Sequence, residues 1–449
     1  MVSGAGLKSI SKDSKFAAMV DGTDKVPPVV DIPAFRTPSG RWYVNLRAKL
    51  TSDIDNLQLP QEDRVFRVVI DTRGLWSWVV SYTTLYTNQT NRISYAGTDW
   101  PAGTLLDTTK YSLFFDPGDQ RHYETSNSDD VPYSISGRAA YYDLSANDTS
   151  DQSLIYSKYL VRLVADEYKT LAGTEFDGRF ALGGIDGQGR RVEPNFNPGS
   201  AVGLQGALRD WGTFATYFNA KPGKPHLLQL NVHPVNGDES KYEPIDKNIS
   251  NGLIWVPCLE FQEGAFAWAL IVPSFWFNDN DYPTVYPQWQ PPAPLQKGRL
   301  DLPEITIDYI YSKGHILDSA NPWTRLNHIL VYNIYEKIES SIVFNGTYYV
   351  PCNITESEIP PLRIGTAATV EGENGYYLPL SGAGFAVQHY RHPTDPNYCG
   401  GTIQNVVDTL PILGQWFFTN YYLVFKSTDP LDPSSGGRPR RQIGMGKPK

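Results

Sequence analysis

Two segments far apart in this 449-residue chain are built alike, each an apolar strand pattern that runs into an aspartate. The first is Val68-Val69-Ile70-Asp71-Thr72-Arg73, and the second is His315-Ile316-Leu317-Asp318-Ser319-Ala320. In both, a small hydroxyl residue follows the acid and the strand pattern then breaks. A carboxylate at the end of a buried strand costs free energy unless it is hydrogen-bonded or paired. One such acid in each half implies that each is the other's neighbour in space. Two carboxyls so placed can hold one proton between them, and do acid and base work together.

Further landmarks repeat in the same order. Asp71 precedes Leu182-Gly183, and Asp318 precedes Leu413-Gly414, each by on the order of 100 residues, the usual domain scale. Two halves with the same sequence of parts imply a duplicated β lobe with the acids at its pseudo-twofold axis. The layout resembles the pepsin-like aspartic proteases, whose lobes each carry a hydrophobic-hydrophobic-Asp-Thr/Ser-Gly motif. Asp71-Thr72 and Asp318-Ser319 match that motif, and Trp78 stands where the family carries a tryptophan after the first Asp. Phe176-Asp177-Gly178-Arg179-Phe180-Ala181-Leu182-Gly183 is similar to its Asp-Gly-x-x-x-Leu-Gly segment. Pro411-Ile412-Leu413-Gly414-Gln415-Trp416-Phe417 and Tyr421-Tyr422-Leu423-Val424-Phe425 resemble its closing block.

The resemblance implies an all-β chain with few short helices, in a bilobal acid-protease fold with a central cleft. It divides the chain into an N-terminal extension or prosegment remnant (1–35), an N-terminal β lobe (36–225), a C-terminal β lobe (226–429) and a disordered basic tail (430–449). The lobes would join near Pro222-Gly223-Lys224-Pro225, a plausible linker by composition. A flap hairpin is expected around Pro132–Gly137, with Tyr133 closing over substrate. Apolar positions between Leu326 and Ser340 are compatible with one amphipathic helix after the second Asp loop.

The resemblance also assigns roles. Asp71 and Asp318 would be catalytic and would activate a water, while the hydroxyls of Thr72 and Ser319 brace the two loops. Arg73 and Ala320 replace the family's glycines and would face substrate. Gly74 and Asn321 replace the next hydroxyl residue of each motif; glycine loses that support, whereas Asn321 can still donate to the aspartate. Gln415 replaces an acid in the closing block. If Arg73 folds onto the pair, its guanidinium favours the charged carboxylates; if it points into the cleft, it can bind a substrate carboxylate. Of the three cysteines, Cys352 and Cys399 match the places of a family disulfide, which on chain-entropy grounds would add roughly 4 kcal/mol. That leaves Cys258 as a buried thiol; the alternative is three reduced core cysteines.

Composition bounds the partners. A net charge of −9 argues against a polyanion such as nucleic acid, which needs clustered Lys and Arg. The longest apolar run, Gly264–Phe277, is broken by Pro273 and is too short for a bilayer, which needs about 20 residues; it reads as a buried strand pair. Val2–Lys15 is polar and lacks the apolar centre of a secretory leader. Five Asn-x-Ser/Thr sequons, at Asn88, Asn147, Asn248, Asn345 and Asn353, lean toward the secretory pathway or vacuole. His389 and His392 have no ligand partner at metal spacing and read as surface-loop residues. Neither metal nor cofactor is expected. The expected partner is a peptide or small molecule bound to a monomer.

Three functions remain open on these residues. The chain is an aspartic endopeptidase of altered activity, a catalytically silent homologue that binds or inhibits, or a pepsin-fold enzyme turned to small-molecule cyclisation or hydrolysis.

Overall fold

The computed structural model describes residues 29–37, 40–50, 64–73, 78–80, 136–146, 154–166, 178–182, 213–219, 223–230, 232–245, 252–258, 268–272, 274–277, 284–285, 314–366, 377–405, 411–427 and 441–449. Strands dominate. The first half holds β1 (Val30–Arg36), β2 (Trp42–Leu50), β3 (Arg64–Asp71), β4 (Trp78–Val80), β5 (Ser136–Ala146), β6 (Leu154–Asp166), β7 (Gly178–Ala181), β8 (Thr213–Phe218) and β9 (His226–Leu230). Then come β10 (Tyr242–Glu243), β11 (Ile254–Pro257), β12 (Ala269–Ile271), β13 (Ser274–Phe277), β14 (Thr284–Val285), β15 (Gly314–Leu317) and β16 (Thr324–Leu326). Helix α1 (His328–Glu336) follows, and after it β17 (Ile342–Phe344), β18 (Thr347–Pro351), β19 (Leu362–Gly365), β20 (Tyr377–Leu380), β21 (Ala386–Arg391), β22 (Tyr398–Gly401), β23 (Ile403–Asn405) and β24 (Ile412–Leu413). Helix α2 (Gln415–Asn420), β25 (Tyr422–Ser427) and β26 (Arg441–Pro448) close the chain. The described residues are therefore mostly β, as the sequence implies.

Burial explains the strands. Along β2, Trp42, Val44 and Leu46 are buried while Tyr43 and Asn45 are half-buried, the period of two that a one-sided sheet requires. At the end of β3 the run Val68–Asp71 is buried on both faces, as in strands covered on both sides.

The repeat expected from the sequence is present in strand pairing. β2 pairs antiparallel with β3, β3 parallel with β7, β7 antiparallel with β4, and β4 parallel with β6. In the second half β12 pairs antiparallel with β15, β15 parallel with β24, β24 antiparallel with β16, and β16 parallel with β23. Each half thus threads a late strand between the Asp-bearing strand and the strand after it. That late strand pairs with one edge of the Asp-bearing strand, whose other edge pairs with β2 or β12.

The two halves meet in one continuous sheet. β25 pairs with β8, β8 with β9, and β9 with β1, so strands from both ends of the chain lie side by side. Of the proposed linker, the described residues 223–225 lead directly into β9, which pairs with β8. Below this sheet Phe214 stacks on Phe425 at 4.6 Å and packs edge-on to Trp268 at 5.9 Å.

Three expectations need correction. First, 430–449 is not disordered throughout: Arg441–Pro448 is a strand held between β25 and β11, with Ile443 and Met445 fully buried. Its two glycines are there for space. A Cβ on Gly444 would lie 2.9 Å from the Trp255 indole, and one on Gly446 2.5 Å from the Tyr242 ring. Second, the extension over 1–35 already contains most of β1, which pairs with β2 and β9. Third, the apolar run around Pro273 is two strands but not a pair. β12 joins the sheet of β15, and β13 joins that of β19.

The helix expected over Leu326–Ser340 is His328–Glu336. Asn327 caps it by accepting from the Ile329 amide at 2.9 Å, and Leu330, Val331, Ile334 and Tyr335 form the buried face. Among the described residues no helix is long and apolar enough to cross a membrane.

Candidate active site

Asp71 ends β3. Its register partner on β7 is Ala181, and its carbonyl accepts from the Leu182 amide at 2.7 Å. Asp318 follows β15, and its amide donates to the Leu413 carbonyl at 3.1 Å. The Leu-Gly landmarks of the sequence therefore have a structural task, since each leucine carries a backbone bond to the aspartate of its own half. Trp268 ties the halves together. Its indole N–H donates to the Leu182 carbonyl at 2.8 Å, and its own carbonyl accepts from the Leu317 amide at 2.8 Å.

The two loops are joined by a reciprocal exchange. The Thr72 amide donates to Ser319 Oγ at 3.1 Å, and the Ser319 amide donates to Thr72 Oγ1 at 3.1 Å. Thr72 Oγ1 in turn donates to the Leu317 carbonyl at 2.8 Å, and Ser319 Oγ donates to the Ile70 carbonyl at 2.6 Å. Each hydroxyl thus accepts from the opposite loop and donates to the opposite strand. All of these groups are buried, so water cannot replace a lost partner.

The carboxylates are held by equivalent bonds. Asp71 Oδ1 accepts from the Arg73 amide at 2.9 Å, and Asp318 Oδ1 accepts from the Ala320 amide at 3.1 Å. In both loops the donor is the backbone of the residue that stands where the related motif has glycine, and these side chains leave the backbone contact intact. Asp71 and Asp318 are 1% and 2% exposed. The Arg73 guanidinium reaches across, with Nη1 3.8 Å from Asp318 Oδ2. At that separation and an effective dielectric near 20, the Coulomb attraction is about 4 kcal/mol, which offsets part of the cost of desolvating Asp318.

The supporting residues divide. Asn321 does not donate to Asp318. Its Oδ1 accepts from the Trp323 amide at 3.0 Å, and its carbonyl accepts from the Gln415 amide at 2.9 Å, so it shapes the turn behind the acid. Gln415 lies buried with Nε2 3.3 Å from the Ser319 carbonyl. An amide can make that donation and a carboxylate cannot. Ala320 is buried with its amide on Asp318 Oδ1, and the Arg73 side chain reaches the other oxygen of that carboxylate. Gly74 and Tyr133 lie outside the described residues, as does most of the flap candidate.

Sequence reasoning missed the brace supplied by Trp268. Its only signal was an aromatic residue inside an apolar run, which core packing explains equally well. The histidine expectation also changes. His392 is buried at 8% exposure, packed edge-on against Tyr349 at 4.7 Å, with Nδ1 accepting from the amides of Thr394 and Asp395. It is a turn-forming core residue rather than a surface one.

Cys352, just past the end of β18, and Cys399 on its partner strand β22 form a disulfide with a Cα–Cα distance of 4.8 Å across 47 residues. Cys258 is buried and takes no part in a disulfide.

No protein-family model matches the chain, and no curated protein matches it.

Proposed function

We propose that the chain is a pepsin-like, bilobal aspartic endopeptidase in which Asp71 and Asp318 activate a water. One carboxylate takes a proton from water as its oxygen attacks the peptide carbonyl. The other carboxyl, still protonated, donates to the carbonyl oxygen; the carboxyl that took the water's proton then passes it to the nitrogen, the C–N bond breaks, and the diol returns its proton to the second carboxylate, leaving an amine and a carboxylic acid. The observation that carries this reading is the reciprocal Thr72–Ser319 exchange, which joins the two Asp loops with matched bonds. The duplicated strand order around each acid supports it as well. Incubation of the purified chain with an acid-unfolded protein tests the reading. It predicts internal cleavage at about pH 3–5, where one carboxyl of a coupled pair keeps its proton.

One observation favours a second reading, a silent homologue that binds without turnover. The Arg73 guanidinium sits 3.8 Å from Asp318 Oδ2, and a cation there favours the charged carboxylate and so opposes the acid role. Arg73→Gly separates the two. Cleavage that appears or rises sharply makes the arginine a brake on an otherwise competent pair. A variant as inert as the parent at every pH supports the silent homologue.

The secretory pathway is the compartment we propose. The Cys352–Cys399 disulfide fits an oxidising compartment. Asn345 and Asn353 of the sequon set are exposed, as a glycan acceptor must be.

A further inference from the structure

Apart from the two aspartates, a cavity of about 540 Å³ opens between the β1–β2 turn, the β8–β9 hairpin, β21 and α2. That volume is within the range of sites for small organic ligands, roughly 300–1,000 Å³. Among the described residues its lining includes Arg36, His226 and His389 and no aspartate or glutamate. Among the described residues no carboxylate pairs with Arg36. The Arg36 guanidinium lies 4.9 Å over the Trp42 ring, and its Nε donates to the Gly40 carbonyl at 3.2 Å. The wall is closely fitted. Gly40 has φ +88°, and a Cβ there would fall 2.1 Å from His389 Cε1, so only glycine lets this turn meet the imidazole.

Two residues of the lining carry enclosed, unpartnered nitrogens. Trp42 is 1% exposed, and its indole Nε1 has no hydrogen-bond partner. Nδ1 of His226, whose ring is 4.3 Å from that of Trp42, is likewise buried and unpartnered. Three basic side chains, Arg36, His226 and His389, meet at the cavity, and among the described residues no acid lines it. Trp416 and Val387 supply apolar wall.

We propose that this cavity binds a small organic anion. Its carboxylate or phosphate head contacts the Arg36 guanidinium beside the His226 and His389 rings, and its flat apolar body lies against Trp416 and Val387. Neither Asp71 nor Asp318 lines the cavity, so binding does not depend on the proteolytic reading. The electrostatics agree. Burial and the Arg36 charge hold the His226 imidazole below its ordinary pKa, and an anion in the cavity counters the second cause and raises it.

Isothermal titration calorimetry of the full chain with benzoate, phenyl phosphate and neutral benzamide tests this. Saturable one-to-one binding of an anion, at least about tenfold tighter than benzamide, is expected; the tighter of the two anions identifies the head group. Arg36→Gln should weaken the anion by a similar factor, Asp71→Asn should leave it unchanged, and the His226 ring should titrate at higher pH with the anion bound. Equal binding of benzoate, phenyl phosphate and benzamide, or no saturable binding of either anion, overturns the proposal. So does loss of binding in Asp71→Asn, which would place the ligand at the aspartates. If Arg36→Gln does not fold, the comparison of anion with amide on the unaltered chain decides.

Discussion

Thr72→Val keeps side-chain volume and branching while removing one oxygen, and that oxygen serves two partners. Oγ1 accepts from the Ser319 amide at 3.1 Å and donates to the Leu317 carbonyl at 2.8 Å, with both residues buried. Valine leaves these groups without the hydroxyl in a site that water does not reach. An orphaned buried group costs about 1–3 kcal/mol, somewhat less for a carbonyl than for an amide, so the pair should cost about 2–5 kcal/mol. Ser319→Ala removes the matching oxygen, which accepts from the Thr72 amide and donates to the Ile70 carbonyl, and should cost a similar amount. The four bonds are distinct, yet they hold the same two loops in register. Once one hydroxyl is gone the loops can separate, and the second should cost less. The double variant is therefore expected to fall short of the sum of the singles by about 1 kcal/mol or more. Urea unfolding followed by tryptophan fluorescence measures all three variants against the parent. A Thr72→Val penalty below about 0.5 kcal/mol, the level of an ordinary surface substitution, would refute the reasoning, because the exchange would then carry no load.

Ile443→Ala in β26 should cost about 2–5 kcal/mol in the same assay, since the side chain is fully buried, and removal of residues 441–449 should give insoluble protein. If the truncated chain is soluble and melts like the parent, the strand assignment is wrong. Cys352→Ser with Cys399→Ser should lose about 4 kcal/mol for a loop of 47 residues, judged by unfolding with and without reductant. Stability should also fall with pH through His226, whose imidazole is held below 6.5 in the folded chain by burial and Arg36. The folded state binds fewer protons there than the unfolded state does. This contribution is therefore complete above about pH 6.5 and is lost as pH falls through the lower folded value. His226→Phe should flatten that limb of the stability–pH curve, and an unchanged limb would assign it to other groups.

What the sequence made legible follows from how local each signal was. The two Asp loops could be read because the acid, the hydroxyl and the preceding apolar run are adjacent, and their function in the fold depends on that adjacency. The disulfide was expected only through the family resemblance, and α1 through apolar periodicity between Leu326 and Ser340; the Asn327 cap came to light with the fold. β26 was not legible, because Gly444 and Gly446 look like linker residues until Trp255 and Tyr242 are seen lying across them. His392 looked exposed because its aromatic neighbours come from other strands. The pairing of β8 with β25 joins residues more than 200 positions apart, a contact that no local pattern encodes. The anion cavity was invisible for the same reason, since Arg36, His226 and His389 converge only after folding.

The most direct test of the proposed catalytic role of Asp71 and Asp318 is the rate of cleavage of an acid-unfolded protein against pH for the parent, Asp71→Asn and Asp318→Asn. Two acids working as one unit predict activity confined to acid pH, with either substitution alone removing it by on the order of 10²–10⁴-fold while urea unfolding confirms that the variants are folded. Cleavage that survives in either folded variant, or that is equally fast at neutral pH, would contradict the account.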